Sequence, residues 1–436
     1  MTTSERQISP RAVVSWISYD LANTIFQMGV VSLFFPAFVR RAVGETAADS
    51  TLSLIQSISY GIIFLLSPVL GAMSDRARRR MPFLIWSTVG CCLATALLAR
   101  GPFLLAAVLF IIANAMYQAG QQFYDSLLPE VSTEANRGRI SGIGVGVGYV
   151  GSYLAIAIGA LAGEQNYGRL FTMIGVTFFV IALPCFFFVR ERGNPSPRPA
   201  LGWSAITHAA ARTAATLRST RDYPGLLRFL IGRIFYTDAV NTVIGFMGLY
   251  TTNVAVSLGL TAKAADSQKI FVMLAAITCA IPGGILWGRV VDRIGPKRTL
   301  MLVLYLWMAS LAMASAVGYF HLPMALFYVV ACLVGIALGG TWASDRPLML
   351  RLAPPDRIGE FYGLYGMVGR FSAITGPALW GVILYWLVQR SGWAVEQGEA
   401  VAILVLLGMI VVGWWILRPI DQEIHRKDRR KEGSVS

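Results

Sequence analysis

Charge is scarce in this chain. Only 14% of its 436 residues are Asp, Glu, Lys or Arg, while 56% are hydrophobic. Soluble domains carry about a quarter charged residues, so this balance excludes one and fits a polytopic membrane protein. The length accommodates about a dozen spans of ~20 residues with short connections. Histidine is almost absent: His208, His321 and His425 all fall in loops or the tail, so an intramembrane proton carrier would have to be a carboxylate. Five cysteines (Cys91, Cys92, Cys185, Cys279, Cys332) lie almost entirely in apolar stretches and form no CxxC pair. They read as core thiols, and neither a metal site nor a disulfide is expected. No Gly-Lys-Ser/Thr occurs, which removes a Walker nucleotide site. No intramembrane histidine or cluster of metal ligands is present for a lipid-modifying enzyme, so no cofactor and no enzymatic activity are expected. Residues 1–12 are polar and the first apolar run is of spanning length, so it reads as a first helix and not as a cleaved signal peptide.

What charge there is sits in alternate loops. Bases follow the second apolar run (Arg76, Arg78, Arg79, Arg80), the fourth (Arg137, Arg139), the sixth (Arg190 to Arg228), the eighth (Arg289, Arg293, Lys297, Arg298) and the last (Arg426 to Lys431). The net charge of +14 therefore reflects the positive-inside rule, and no nucleic-acid partner is expected. Both termini are expected in the cytoplasm, and the short tails favour a bacterial inner membrane. Apolar runs predict helices over 13–39, 52–73, 82–99, 102–126, 139–162 and 169–189, then 226–252, 268–289, 298–318, 322–345, 359–387 and 399–417. The expected division is an N-terminal six-helix bundle (1–189), a cytoplasmic linker (190–225), a C-terminal six-helix bundle (226–417) and a basic tail (418–436). Within the linker Trp203, Ile206, Ala210, Thr213 and Leu217 recur at helical spacing. That pattern reads as an amphipathic helix on the membrane face, with a plain solvated linker as the other reading.

Two pairs of stretches repeat half a chain apart. Tyr19-Asp20-Leu-Ala-Asn23-Thr24 is echoed by Thr237-Asp238-Ala-Val-Asn241-Thr242. An aspartate near mid-membrane costs on the order of 2.5–3.5 kcal/mol, so such residues usually line a pathway. A buried structural pair is the alternative. Gly71-Ala-Met-Ser-Asp75-Arg76-Ala-Arg-Arg79-Arg80 is likewise matched by Gly288-Arg-Val-Val-Asp292-Arg293-Ile-Gly295-Pro-Lys297-Arg298. Each reads as a tight turn in which Asp meets helix N-terminal amides while the bases face lipid headgroups. Asn114, Gln118, Gln121 and Asp125 share one face of the fourth helix. That face looks inward, toward an aqueous cavity or into interhelical hydrogen bonds, and Asp125 could instead form a gate with Arg137 or Arg139. The glycines Gly142, Gly144, Gly146, Gly148 and Gly151 suit close, sliding helix packing. Arg370 falls about eleven residues into its span, ~16 Å deep at ~1.5 Å per residue. It needs a carboxylate or an anionic ligand there: a solute's carboxylate or phosphate, or a permanent bridge to Asp238 or Asp20. Asp345-Arg346, near the predicted end of the tenth helix, reads as a gate pair or an interfacial one.

The paired Gly-Asp-Arg loops resemble the signature of the major facilitator superfamily. Other stretches resemble its UMF branch, relatives of fungal vacuolar amino-acid effluxers. These are Ser15-Trp16-Ile-Ser-Tyr19-Asp20-Leu-Ala-Asn23, Phe34-Phe35-Pro36, Phe123-Tyr124-Asp125-Ser-Leu-Leu-Pro129-Glu130, Arg137-Gly138-Arg139-Ile-Ser141-Gly142, Phe235-Tyr236-Thr237-Asp238 and Gly359-Glu360-Phe361-Tyr362-Gly363. Ala239, Arg78 and Arg370 depart from that pattern. The resemblance implies an all-α membrane protein of twelve helices in two pseudo-symmetric six-helix bundles. It also implies alternating access with a small polar solute, an amino acid or organic anion, with efflux as one direction. Asp20, Asn23, Gln118, Gln121, Asp238, Asn241 and Arg370 are then the candidate solute or coupling-ion residues, with H+ or Na+ as coupling ion. Asp75, Arg76, Arg79, Asp292, Arg293 and Lys297 are the candidate cytoplasmic gate. The expected partners are the solute and membrane lipids, with the protein a monomer. A sugar–cation symporter of the glycoside-pentoside-hexuronide type and a non-transporting receptor on the same fold are the alternatives.

Overall fold

The computed structural model describes residues 8–163, 166–192, 218, 220, 223, 225–354 and 357–420, without the side chains of 45, 46, 49 and 372–374. The linker helix proposed around Trp203–Leu217 and the basic stretch Arg426–Lys431 lie outside the described residues. All regular structure among the described residues is helical. Besides one turn at Leu128–Val131, the helices are α1 (Pro10–Val43), α2 (Glu45–Arg76), α3 (Met81–Leu97), α4 (Phe103–Ser126), α5 (Arg137–Ala162) and α6 (Tyr167–Phe188). The second set is α7 (Leu226–Ser257), α8 (Ala262–Ile294), α9 (Pro296–Tyr319), α10 (Ala325–Leu352), α11 (Ile358–Arg390) and α12 (Val395–Leu417). Eleven are long and apolar enough to cross a membrane, and the shorter apolar α3 makes the twelfth.

Several helices overrun the apolar stretches that announce them. α8 begins at Ala262 and ends at Ile294, and α10 runs on to Leu352. Asp345 and Arg346 are therefore interior to α10 and buried, which corrects their expected place at its end. The apolar run stops at these charges, but the helix continues because each charge finds a partner. Glycines at positive φ separate helices where the chain must reverse, as at Gly44 between α1 and α2 and Gly295 between α8 and α9. Residues Gln27–Phe34 of α1 and Tyr385–Arg390 of α11 wind as π-helix, a form frequently found at functional sites.

Packing repeats between the halves. In the first, α1 packs on α5 and α6, α3 on α4 and α6, and α2 on α4; in the second, α7 packs on α11 and α12, α9 on α10 and α12, and α8 on α10. Contact between halves is carried by α2 with α11 and by α5 with α8, images of one another, joined by α10 against α5 and α11 against α4. Small residues permit these approaches. A Cβ on Gly146 would come within 2.6 Å of the Ile281 carbonyl, and one on Gly363 within 2.6 Å of the Ser67 carbonyl. Backbones this close leave no room for larger side chains. Tyr153 of α5 adds a 2.6 Å hydrogen bond with Thr278 of α8.

Candidate functional site

The ends of α6 and α12 lie against the loops α2–α3 and α8–α9 on one face: Lys297 donates to the Arg418 carbonyl at 2.7 Å, and the amides of Arg80 and Met81 donate to Glu191. Burial pushes the Glu191 carboxyl above its ordinary range, against the opposing pull of those two amides. On this face each repeated loop aspartate reaches into the opposite half. Asp75, at the end of α2, accepts from the amides of Gly359 and Glu360, both at 2.8 Å. Asp292, at the end of α8, accepts from Gly138 at 2.7 Å and Arg139 at 3.0 Å. These amides occupy equivalent places in the first turns of α11 and α5. Free N–H groups and the positive end of the helix dipole both favour a carboxylate there.

The basic residues of the gate divide differently from expectation. Arg80 pairs with Asp75 at 2.7 Å, whereas Arg76 and Arg79 do not. Asp292 is met by backbone amides, with Arg293 exposed beside it and Lys297 turned to α12. A sequence run of adjacent bases does not reveal which one the turn folds back onto its aspartate.

Deeper in, α1, α4 and α10 build a ring of polar contacts that the backbone of α1 closes. Arg346 of α10 binds Asp20 of α1 through Nη1 at 2.9 Å and Nη2 at 3.3 Å, and Asp125 of α4 through Nε at 3.1 Å. The Asn23 amide donates to Gln121 Oε1 at 2.8 Å, and Gln121 donates to Asp125 at 3.4 Å. Asp125 thus faces Arg346, which corrects the gate with Arg137 or Arg139. The preceding residue, Asp345, is held wholly within its own half by Arg233 at 3.0 Å, Tyr236 at 2.6 Å and Tyr365 at 2.9 Å. Arg233 also lies 3.6 Å over the Tyr365 ring. This network anchors the turn of α10 from which Arg346 reaches across to the other bundle.

Arg370 forms neither of the permanent bridges considered for it. It donates to Ser67 Oγ at 2.8 Å and to the Gln118 carbonyl at 3.1 Å, and its Nε is buried without a partner. Among the described residues no carboxylate pairs with it. The side-chain oxygens of Asn23 and Asn114 are also buried and unmatched, and such groups call for an explanation because burial without a partner is costly. Asn114 otherwise bonds Ser59 at 3.0 Å, and Gln122 ties α4 to Ser67. Gln118 is half-buried, so the expected polar face of α4 is turned toward α1, α2, α10 and α11.

The duplicated aspartates do different work. Asp238 accepts from the Gly376 amide at 2.7 Å and from the Thr375 hydroxyl, both on α11 of its own half. Asn241 is half-buried and its side chain makes no hydrogen bond among the described residues. Arg233 and Tyr365 stand outside the residues expected to form the site, and Asp345 and Arg346, expected as a gate or interfacial pair, lie at its centre. The adjacent charges at 345–346 were the available signal, but their partners lie on other helices.

A profile of the family described as vacuole effluxers like Atg22 matches residues 9–137 and 131–428. An MFS-type transporter of Bacillus subtilis (strain 168), YxiO, is 26% identical over 420 residues, covering 92% of this chain and 94% of its own. Autophagy-related protein 22-1 of Aspergillus niger is 24% identical over 62% of this chain, which spans only 45% of that longer relative. Among solved structures, the human organic anion transporter MFSD10 superposes with a TM-score of 0.70 at 15% identity, over 95% of this chain and 100% of its own. A bacterial homologue of the iron transporter ferroportin, in an outward-facing state, gives 0.69 at 14% identity over 94% and 98%.

Proposed function

The chain belongs to the family of vacuole effluxers like Atg22 and is an integral, multi-pass MFS-type transporter; from that premise we propose that it exports a small polar solute carrying an anionic group, an amino acid or organic anion, by alternating access. The observation that carries this reading is Arg370, a buried cation at the junction of α2, α4 and α11 with no carboxylate of its own and an unmatched Nε. In this reading the face bearing Asp75 and Asp292 is cytoplasmic, with both termini on that side, which the basic loops support, and the membrane is a bacterial inner membrane. The ties at that face then correspond to a carrier shut toward the cytoplasm. Asp20, Asn23, Gln118, Gln121, Asp238 and Asn241 surround the solute and coupling-ion route, the ion being H+ or Na+.

The test is a thermal-shift screen of the purified protein against amino acids, organic anions and sugars, followed by flux into proteoliposomes for every hit. Stabilisation by a carboxylate-bearing solute, with flux, supports the proposal. A sugar that stabilises the parent and the Arg370→Ala variant equally would replace it with a sugar–cation symporter. Binding without flux would make the protein a receptor.

Asp75→Ala is expected to slow transport while leaving solute binding intact. Loss of a helix cap costs about 1–2 kcal/mol, which moves a two-state equilibrium roughly 5–30-fold. The closed face should open that much more readily. Unchanged turnover would remove the gate role.

A further inference from the structure

The ring at the centre holds more acid than base. Arg233 and Asp345 already form a neutral pair within one half, so Asp20 and Asp125 are left sharing the guanidinium of Arg346. All five side chains are buried. The trio of Asp20, Asp125 and Arg346 carries one uncompensated negative charge if both acids are ionised, and a buried charge without a partner tends to neutralise.

Geometry says where the balancing proton would sit. Asp20 engages Arg346 with both oxygens. Both contacts of Asp125, from Arg346 Nε and Gln121 Nε2, fall on the same oxygen, Oδ1. Its Oδ2 takes no hydrogen bond or ion pair among the described residues. The charged and titratable groups facing Asp125 are Arg346, Asp20, Arg233, Asp345 and the phenols of Tyr124, Tyr362 and Tyr365. Those facing Asp20 are Arg346, Asp125 and the phenols of Tyr117, Tyr124 and Tyr149. Arg233 is the one other cation in either set, and it is engaged by Asp345.

We propose that Asp125 binds one proton on Oδ2 while this face is shut, and that this proton is the coupling ion; the second part rests on the transporter reading above. The carboxylate gains H+ to become a carboxylic acid, Asp20 keeps its bridge to Arg346, and the trio becomes neutral. Because Arg346 belongs to the opposite half, parting the halves takes the cation away from both acids. Their proton occupancy must then change with the conformation, which is the linkage that coupled transport requires.

The test is infrared difference spectroscopy of the full chain in phosphatidylcholine vesicles as bulk pH is stepped, reading the carbonyl band of a neutral carboxylic acid. Glu399 is buried and, among the described residues, takes only the Asn253 amide on its oxygens, so every spectrum is taken in a Glu399→Gln background. One acid equivalent is expected at neutral pH, lost in Asp125→Asn and kept in Asp238→Asn. Asp20→Asn provides a check that leaves the carrier in place. Asp125 and Arg346 would then balance one another, so the band should disappear although Asp125 remains. No acid band at neutral pH, or a band that survives Asp125→Asn or Asp20→Asn, overturns the proposal, as would a carboxylate spectrum that answers to Na+ and not to pH. A band with the expected pattern in a protein without flux upholds the proton site and overturns its coupling role. That outcome separates failure of this inference from failure of the transporter reading.

Discussion

Arg346→Leu is expected to lower the thermal unfolding midpoint more than any other single change in the central ring. Removing one partner of a buried ion pair costs about 3–5 kcal/mol, because the remaining charge stays buried without compensation. Here one guanidinium serves two carboxyl groups on two helices of the opposite half, so its loss strands the charge of Asp20 and takes the same partner from Asp125. Arg346→Lys should recover only part of the stability, since an ammonium cannot reproduce the forked contact with Asp20 plus the Nε contact with Asp125. The triple variant Asp20→Asn, Asp125→Asn, Arg346→Leu should recover most of it, because no charge is then left stranded. Flux should be absent in Arg346→Leu and in the triple variant, which lack the charged tie between the halves, the triple variant lacking the coupling carboxyl of Asp125 as well. Unfolding midpoints in detergent, measured on the four proteins together, decide the matter. A single leucine variant as stable as the parent would mean that the ring is solvated, and Arg346 would lose its place as the tie between the halves.

The parts of this architecture that were legible from sequence are those fixed by solvent. Apolar runs of spanning length give helices in a membrane whatever their partners, and the alternation of basic loops follows from insertion. The loop aspartates were legible in kind: Gly71 to Asp75 and Gly288 to Asp292 announce carboxylates seeking helix amides. Which amides they find was not legible. The nearest helix starts in sequence belong to α3 and α9, yet the recipients are α11 and α5 of the opposite half. The same limit applies at the centre. Asp20 and Asp238 look like copies, but one reaches Arg346 across the interface while the other stays with Thr375 and Gly376. A repeat in sequence records common descent of the two halves; it does not require that both copies keep one partner. The π-helical stretch of α1 left no periodic trace either, because its residues are apolar on nearly every side.

Arg370→Ala is expected to abolish solute-induced stabilisation and to reduce flux by about 10–150-fold, the equivalent of one hydrogen bond to a charged group at ~1.5–3 kcal/mol. The protein itself should remain folded, because Arg370 gives up only a serine hydroxyl and a backbone carbonyl. That distinguishes it from Arg346, whose removal leaves acids behind. Arg370→Lys keeps the charge but cannot present two parallel N–H groups to a carboxylate. Its affinity should therefore fall between those of the parent and the alanine variant. Affinity is read from solute titrations of the thermal shift, and flux from proteoliposomes loaded with the same solute. If alanine leaves both untouched, Arg370 acts only as a strut between α2, α4 and α11, and the anionic group of the solute must be sought at the other central cation, Arg346. Binding there would compete directly with Asp20 and Asp125 for one guanidinium, so solute affinity would rise in Asp20→Asn. The two arginines thus make opposite predictions for that variant: a site at Arg370 is indifferent to Asp20, whereas a site at Arg346 is strengthened by losing it.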